Sequence, residues 1–138
     1  MIWHVIFHPK DGEWWTRRFG HVSLAGFQNE TWVHLDLGRE AVTVKPMFLH
    51  DETVDYLSTL LTYYTLLRFG PAKNQASSFF MPMTCVSFVK HTLGIRSRAL
   101  LPDQLFHSLI RDHDAEVLNE NAKAPCGNGR TEASSPAC

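Results

Sequence analysis

Between residues 1 and 45 apolar and polar positions alternate with the period of two that an extended chain imposes. Residues 1–7, 21–27, 31–37 and 41–45 each read as a strand, and 31–37 (Thr-Trp-Val-His-Leu-Asp-Leu) is rich in aromatic and β-branched residues. Turn residues punctuate them: Asp11-Gly12, then Gln28-Asn29-Glu30, then Gly38-Arg39-Glu40. Trp14-Trp15 and Arg17-Arg18 lead into Gly20. The spacing predicts an antiparallel meander.

The period then changes. Val54, Leu57, Leu60, Leu61, Tyr64 and Leu67 recur at helical spacing and predict a helix over 52–69, stopped by Gly70-Pro71. Residues 77–81 read as extended and lead to Pro82. A second helix is predicted from Cys85 to Leu93, with Gly94 as its C′ residue. Leu101-Pro102-Asp103-Gln104-Leu105 opens a last short helix with Leu105, Leu109 and Ile110 on its buried face. Beyond Asn119 the chain turns Asn-, Gly-, Ser- and Pro-rich, the composition of a disordered tail. The expectation is a single α+β domain over 1–118, an antiparallel sheet packed on helices, followed by a disordered tail over 119–138, with no internal repeat.

Composition changes this picture little. The chain has 138 residues, 44% hydrophobic and 20% charged, enough for one real core. Thirteen basic residues against 14 acidic give a net charge of −1, so no electrostatic footprint for nucleic acid is present. No apolar run reaches the roughly 18 residues expected of a membrane span. The apolar start lacks a basic n-region and a small-residue cleavage site, so it reads as a first strand and not as a signal peptide. A cytoplasmic or virion-associated location is the corresponding expectation.

Three cysteines do not make a disulfide framework. Cys126 and Cys138 fall in the tail, and their spacing does not demand a bridge. Cys85 falls inside the folded region, where an extended run ends at Pro82 and an amphipathic helix begins. A thiol at a helix N-terminus meets unpaired backbone N–H groups and the positive end of the helix dipole, and both favour thiolate. Histidines lie upstream. If the second and third strands turn around Asn29, His21 falls across from residues 36 and 37, and His34 and Asp36 share a face. His21 is then the candidate base toward Cys85, with His34 or Asp36 holding its ring through the other nitrogen. The N–H groups at the head of the cysteine helix are the candidate oxyanion donors.

Each of these residues also has a plain structural reading. Cys85 also reads as a small apolar residue for a core, a reading that its place after Pro82 and the upstream histidine strand outweigh. His34 and Asp36 alternate with Val33, Leu35 and Leu37, as the solvated face of a half-buried strand does. The other histidines, among them His4 and His8, show no partner spacing, and Trp14 and Trp15 read as one core and one rim residue. Eight histidines invite a metal, but no His-x-x-x-His pair falls on a predicted helix and no Cys-x-x-Cys pair occurs. Zinc-deaminase, G-x-S-x-G and P-loop strings are absent as well, so no cofactor or metal is expected.

Three segments in order carry a family resemblance: Gly20-His21-Val22, then Trp32-Val33-His34-Leu35-Asp36, then Thr84-Cys85-Val86-Ser87-Phe88-Val89-Lys90. Together they resemble the circularly permuted branch of the NlpC-type, papain-like thiol hydrolases, which includes lecithin:retinol acyltransferase-like proteins. In that branch the histidine strand precedes the cysteine helix, as in this chain. The resemblance extends through Leu93-Gly94-Ile95 to Leu101-Pro102-Asp103-Gln104-Leu105, an ending similar to that of small phage and bacterial members, and covers most of residues 18–110. It implies a permuted papain-like topology, a nucleophile at Cys85 and a base at His21. For the third residue, acyltransferase-like members imply His34 and others imply Asp36. The longer cysteine motif of the acyltransferases is missing, so their substrate does not carry over. The activity implied is hydrolysis or acyl transfer at an amide, peptide or ester bond, with a cell-wall peptide, another peptide or a lipid ester as substrate. The competing expectation is a non-enzymatic structural or accessory virion protein that retains the fold and binds virion partners.

Overall fold

The computed structural model describes residues 2–10, 18–48, 50–70 and 84–119. The predicted turn at Asp11-Gly12, Trp14, Trp15, the extended run over 77–81 and the tail from residue 120 lie outside the described residues. Four strands form in order: β1 (Ile2–Pro9), β2 (Phe19–Gln28), β3 (Thr31–Leu37) and β4 (Val42–Met47). Helix α1 (His50–Tyr63) follows, then β5 (Thr65–Phe69), α2 (Cys85–Leu93), α3 (Pro102–Asp112) and β6 (Glu116–Asn119). All six strands join one antiparallel sheet in the order β4-β3-β2-β1-β5-β6. The meander runs from β1 outward to β4. Helix α1 then carries the chain back across the sheet, so that β5 pairs on the free side of β1. This α+β arrangement is the one the alternating pattern predicts.

The period-two alternation sorts side chains to two faces and so makes two cores. Val5, Phe7, Val22, Leu24, Leu67 and Phe69 pack on one face against Val86, Val89 and Leu93 of α2 and Leu105, Phe106 and Leu109 of α3. Ile6, Ala25 and Leu66 face the other way and are covered by Leu60 of α1, with Tyr56, Leu57 and Tyr64 around them. Among the described residues no helix is long and apolar enough to cross a membrane.

Several sequence expectations are corrected. The helix over 52–69 ends at Tyr63, and Thr65–Phe69 is a strand paired with β1. Thr65, Leu66, Leu67 and Phe69 are buried on both faces of the sheet, and that demand overrides the helical spacing of Tyr64 and Leu67. Val54 and Leu61, two of the apolar positions at helical spacing, are 49% and 53% exposed. In α3 the buried face is Leu105, Phe106 and Leu109, while Ile110 is exposed. A last strand, β6, also follows α3 and extends the fold to Asn119, whose side chain donates to the carbonyls of Leu61 and Tyr64.

Local chemistry explains the elements that carry the site. Asn29 and Glu30, with φ of 50° and 60°, make the two-residue turn whose twist suits a hairpin, and so set the β2–β3 register. Helix α2 opens with a capping box. Thr84 Oγ1 accepts from Ser87 N at 3.1 Å, and Ser87 Oγ accepts from Thr84 N at 2.7 Å. It closes at Gly94, whose φ of 65° is the left-handed conformation that glycine adopts without strain. Gly94 N–H and Ile95 N–H donate to the carbonyls of His91 and Lys90. Asp103, in the first turn of α3, accepts from Arg18 N at 3.0 Å and Phe19 N at 3.5 Å, tying that helix to the start of β2.

Candidate active site

The sheet rim at the start of β2 is irregular. His8 pairs with His21 but Pro9 pairs with Phe19, so Gly20 is left over in the β1–β2 register. An extra residue of this kind bends a strand and re-aims the side chains beside it. His21 stands immediately after it. On the other side of β2 the ladder runs from Gln28 opposite Thr31 to Leu24 opposite Leu35, which puts Ser23 across from Asp36 one rung further. His21 therefore meets Asp36 diagonally, and Nε2 of the ring lies 2.5 Å from Asp36 Oδ1. Both side chains are 32% exposed, so the pair is neither sealed in the core nor free in water.

Cys85 enters from α2. It is the first residue of the helix, held in place by the Thr84–Ser87 capping box, and half-buried against the larger core. Its thiol and the His21 ring line one cleft, and each shifts the ionisation of the other. A cleft of about 350 Å³ opens over the pair, lined by His21, Leu37, Gly38, Arg39, Thr84 and Cys85. The thiol is thus accessible to a small group.

The electrostatics favour a charged pair. The thiol contact raises the His21 pKa to about 9, burial opposes the rise, and Asp36 adds to it through its hydrogen bond and its charge. Burial alone would push the Cys85 thiol up. The hydrogen bond and charge of His21 and the backbone N–H groups of Val22 and Val86 outweigh it, and the pKa falls below the ordinary value. A raised imidazole beside a lowered thiol is the direction of shift that favours a thiolate–imidazolium pair.

No protein-family model, curated protein or solved structure matches the chain. The chemistry of the site therefore rests on its own geometry.

The four residues singled out from the sequence lie together, with different partners. Cys85, His21 and Asp36 form a connected series. His34 does not join it directly, because its Nε2 lies 3.2 Å from Ser23 Oγ and its ring beside Tyr56 at 5.6 Å between centroids. Of the two candidates for holding the base, Asp36 is the one in contact with it. Two further residues, His8 and Ser23, were not legible as parts of the site. His8 Nε2 lies 2.8 Å from the fully buried Ser23 Oγ, and its ring is 5.0 Å from that of His21. Only the β1–β2 register, which the Asp11-Gly12 turn signal does not by itself fix, brings His8 opposite His21. Among the described residues no group of three or more His, Cys, Asp or Glu side chains is placed to hold a metal ion.

Proposed function

We propose that this chain is a permuted papain-like thiol hydrolase or acyltransferase acting on an amide, peptide or ester bond. The observation that carries the reading is the series Cys85–His21–Asp36, with a lowered thiol and a raised imidazole at an open cleft. The chain order supports the permuted form, since β2 with His21 precedes α2 with Cys85.

In this mechanism the Cys85 thiolate attacks the carbonyl carbon and the carbonyl π electrons move to oxygen. The N–H of Cys85 precedes the first intrahelical bond, which Phe88 N makes to Thr84 O, so it is available to the oxyanion. Collapse of the tetrahedral intermediate expels the amine or alkoxide, and the His21 imidazolium delivers the proton it needs. The product is a thioester on Cys85 and a neutral His21. Water, or an acceptor in the transferase, then gives its proton to His21 as it attacks the thioester, and thiolate and imidazolium are restored. Asp36 keeps the ring in one tautomer and stabilises its charge throughout. A cell-wall peptide, another peptide or a lipid ester is the substrate class the resemblance suggests.

An activated acetyl ester tests the reading without knowledge of the natural substrate. Mixed with p-nitrophenyl acetate at pH 7, the protein is expected to release a burst of one nitrophenolate per chain. Mass spectrometry is expected to place one acetyl group on Cys85, and Cys85→Ser to abolish both. Acetylation of Cys85 no faster in the folded protein than in the urea-unfolded chain would overturn the proposal and leave the structural, virion-type role in its place.

A further inference from the structure

Beside the thiol, base and carboxylate, the sheet face under α1 carries a second polar series that the mechanism above does not use. His8 Nε2 and His34 Nε2 converge on the single hydroxyl of Ser23, at 2.8 and 3.2 Å. Ser23 is fully buried and sits on β2 two residues from His21, so its side chain points to the same face as the base. A hydroxyl can donate once and accept twice, so this one oxygen can serve both rings. Loss of either ring leaves a buried hydroxyl short of a partner.

His8 is the member that reaches the base. It faces His21 across the β1–β2 pair, ring to ring at 5.0 Å and 61°. Its other neighbour is the ring of Tyr64, at the junction of α1 and β5, at 4.7 Å and 65°. The ring is thus held by Tyr64, by Ser23 and by its own strand, and contacts His21 just where the leftover Gly20 disturbs the rim. We infer that His8 is a positioning residue, which through this ring contact and its hydrogen bond to Ser23 fixes the plane of His21 for proton exchange with Cys85; the inference rests on the proposed role of Cys85 and His21.

The surroundings suit the task. Burial, the charge of His21 and that of His34 hold the His8 pKa down at about 4, with Asp36 opposing. At neutral pH the residue is therefore an uncharged ring, and it does not repel the imidazolium that it orients. A cation at that distance would disfavour the imidazolium and, with it, the thiolate.

Three variants separate the ring contact from the hydrogen bond. His8→Phe keeps an aromatic ring beside His21 and Tyr64 but has nothing to offer Ser23, His8→Gln retains a hydrogen-bonding nitrogen near the position of Nε2, and His8→Leu keeps neither. The readouts are the apparent pKa of Cys85 from haloacetamide alkylation against pH and the acylation burst rate with p-nitrophenyl acetate, on variants whose cooperative unfolding is retained. His8→Leu is expected to raise the apparent thiol pKa and slow acylation on the order of 10-fold or more, the scale of a misplaced catalytic group. His8→Phe is expected to fall between it and the wild type, and His8→Gln to recover to within about threefold of the wild type. A folded His8→Leu protein with the wild-type thiol pKa and burst rate overturns the inference. A wild-type thiol with an ordinary pKa and no burst overturns the reading of Cys85 itself, and the two failures are distinct.

Discussion

Replacing His21 with alanine is expected to lower the rate of Cys85 alkylation at pH 6 on the order of 100-fold, with little change in the fold. The reason lies in the balance at the thiol. Burial is the largest single influence on Cys85 and it favours the neutral form. His21 opposes it twice, by hydrogen bond and by charge, and both contributions vanish in the variant. The backbone N–H groups of Val22 and Val86 remain, but they then work alone against burial. A haloacetamide time course on both proteins, resolved to Cys85 by peptide mass spectrometry, reads the difference directly. Equal rates at pH 6 would mean that the His21 ring does not share its proton with sulfur.

The second large effect is on stability, and it tests the element that the sequence pattern misassigns. Leu67 is fully buried in the larger core and sits between Val5 of β1 and Val117 of β6. Leu67→Ala is expected to cost about 3 kcal/mol, within the range for a buried leucine that leaves a cavity. Val54→Ala, on the exposed side of α1, is expected to change stability by no more than about 0.5 kcal/mol. Urea unfolding midpoints at constant m-value make the comparison. If residues 52–69 formed a single amphipathic helix, both positions would lie on its buried stripe and both substitutions would cost heavily. The unequal result is the signature of α1 followed by β5.

These two elements show where local pattern suffices. The first four strands are legible because one face of each meets a core, so alternation survives in the sequence. The ends of α2 are legible because Thr84 and Gly94 are chemically suited to them. Strand β5 is not, because Thr65, Leu66, Leu67 and Phe69 are buried on both faces, and a short continuous apolar run is compatible with either period. Strand β6 is a short, largely exposed edge with a polar start, which leaves almost no pattern to read.

The site divides in the same way. Cys85 is visible from its helix start, and His21, His34 and Asp36 from the hairpin around Asn29. The choice between His34 and Asp36 turns on the actual register and on Ser23, which engages His34 and leaves Asp36 to the base. His8 depends on a pairing across twelve intervening positions and a one-residue irregularity at Gly20, neither of which has a signature in composition or period.

The central claim is that Cys85 and His21 exist as thiolate and imidazolium at neutral pH. The two shifts set its window. Thiolate appears once pH rises above the lowered Cys85 pKa, and the imidazolium is lost as pH rises through about 9. Between those limits both charges are present, so acylation should be bell-shaped in pH while alkylation, which needs only thiolate, rises and stays high. The most direct measurement is the alkylation rate of Cys85 in the wild-type protein from pH 4 to pH 10. A rise centred below the ordinary thiol value of about 8.5 is expected. A single rise centred at or above 8.5 would contradict it.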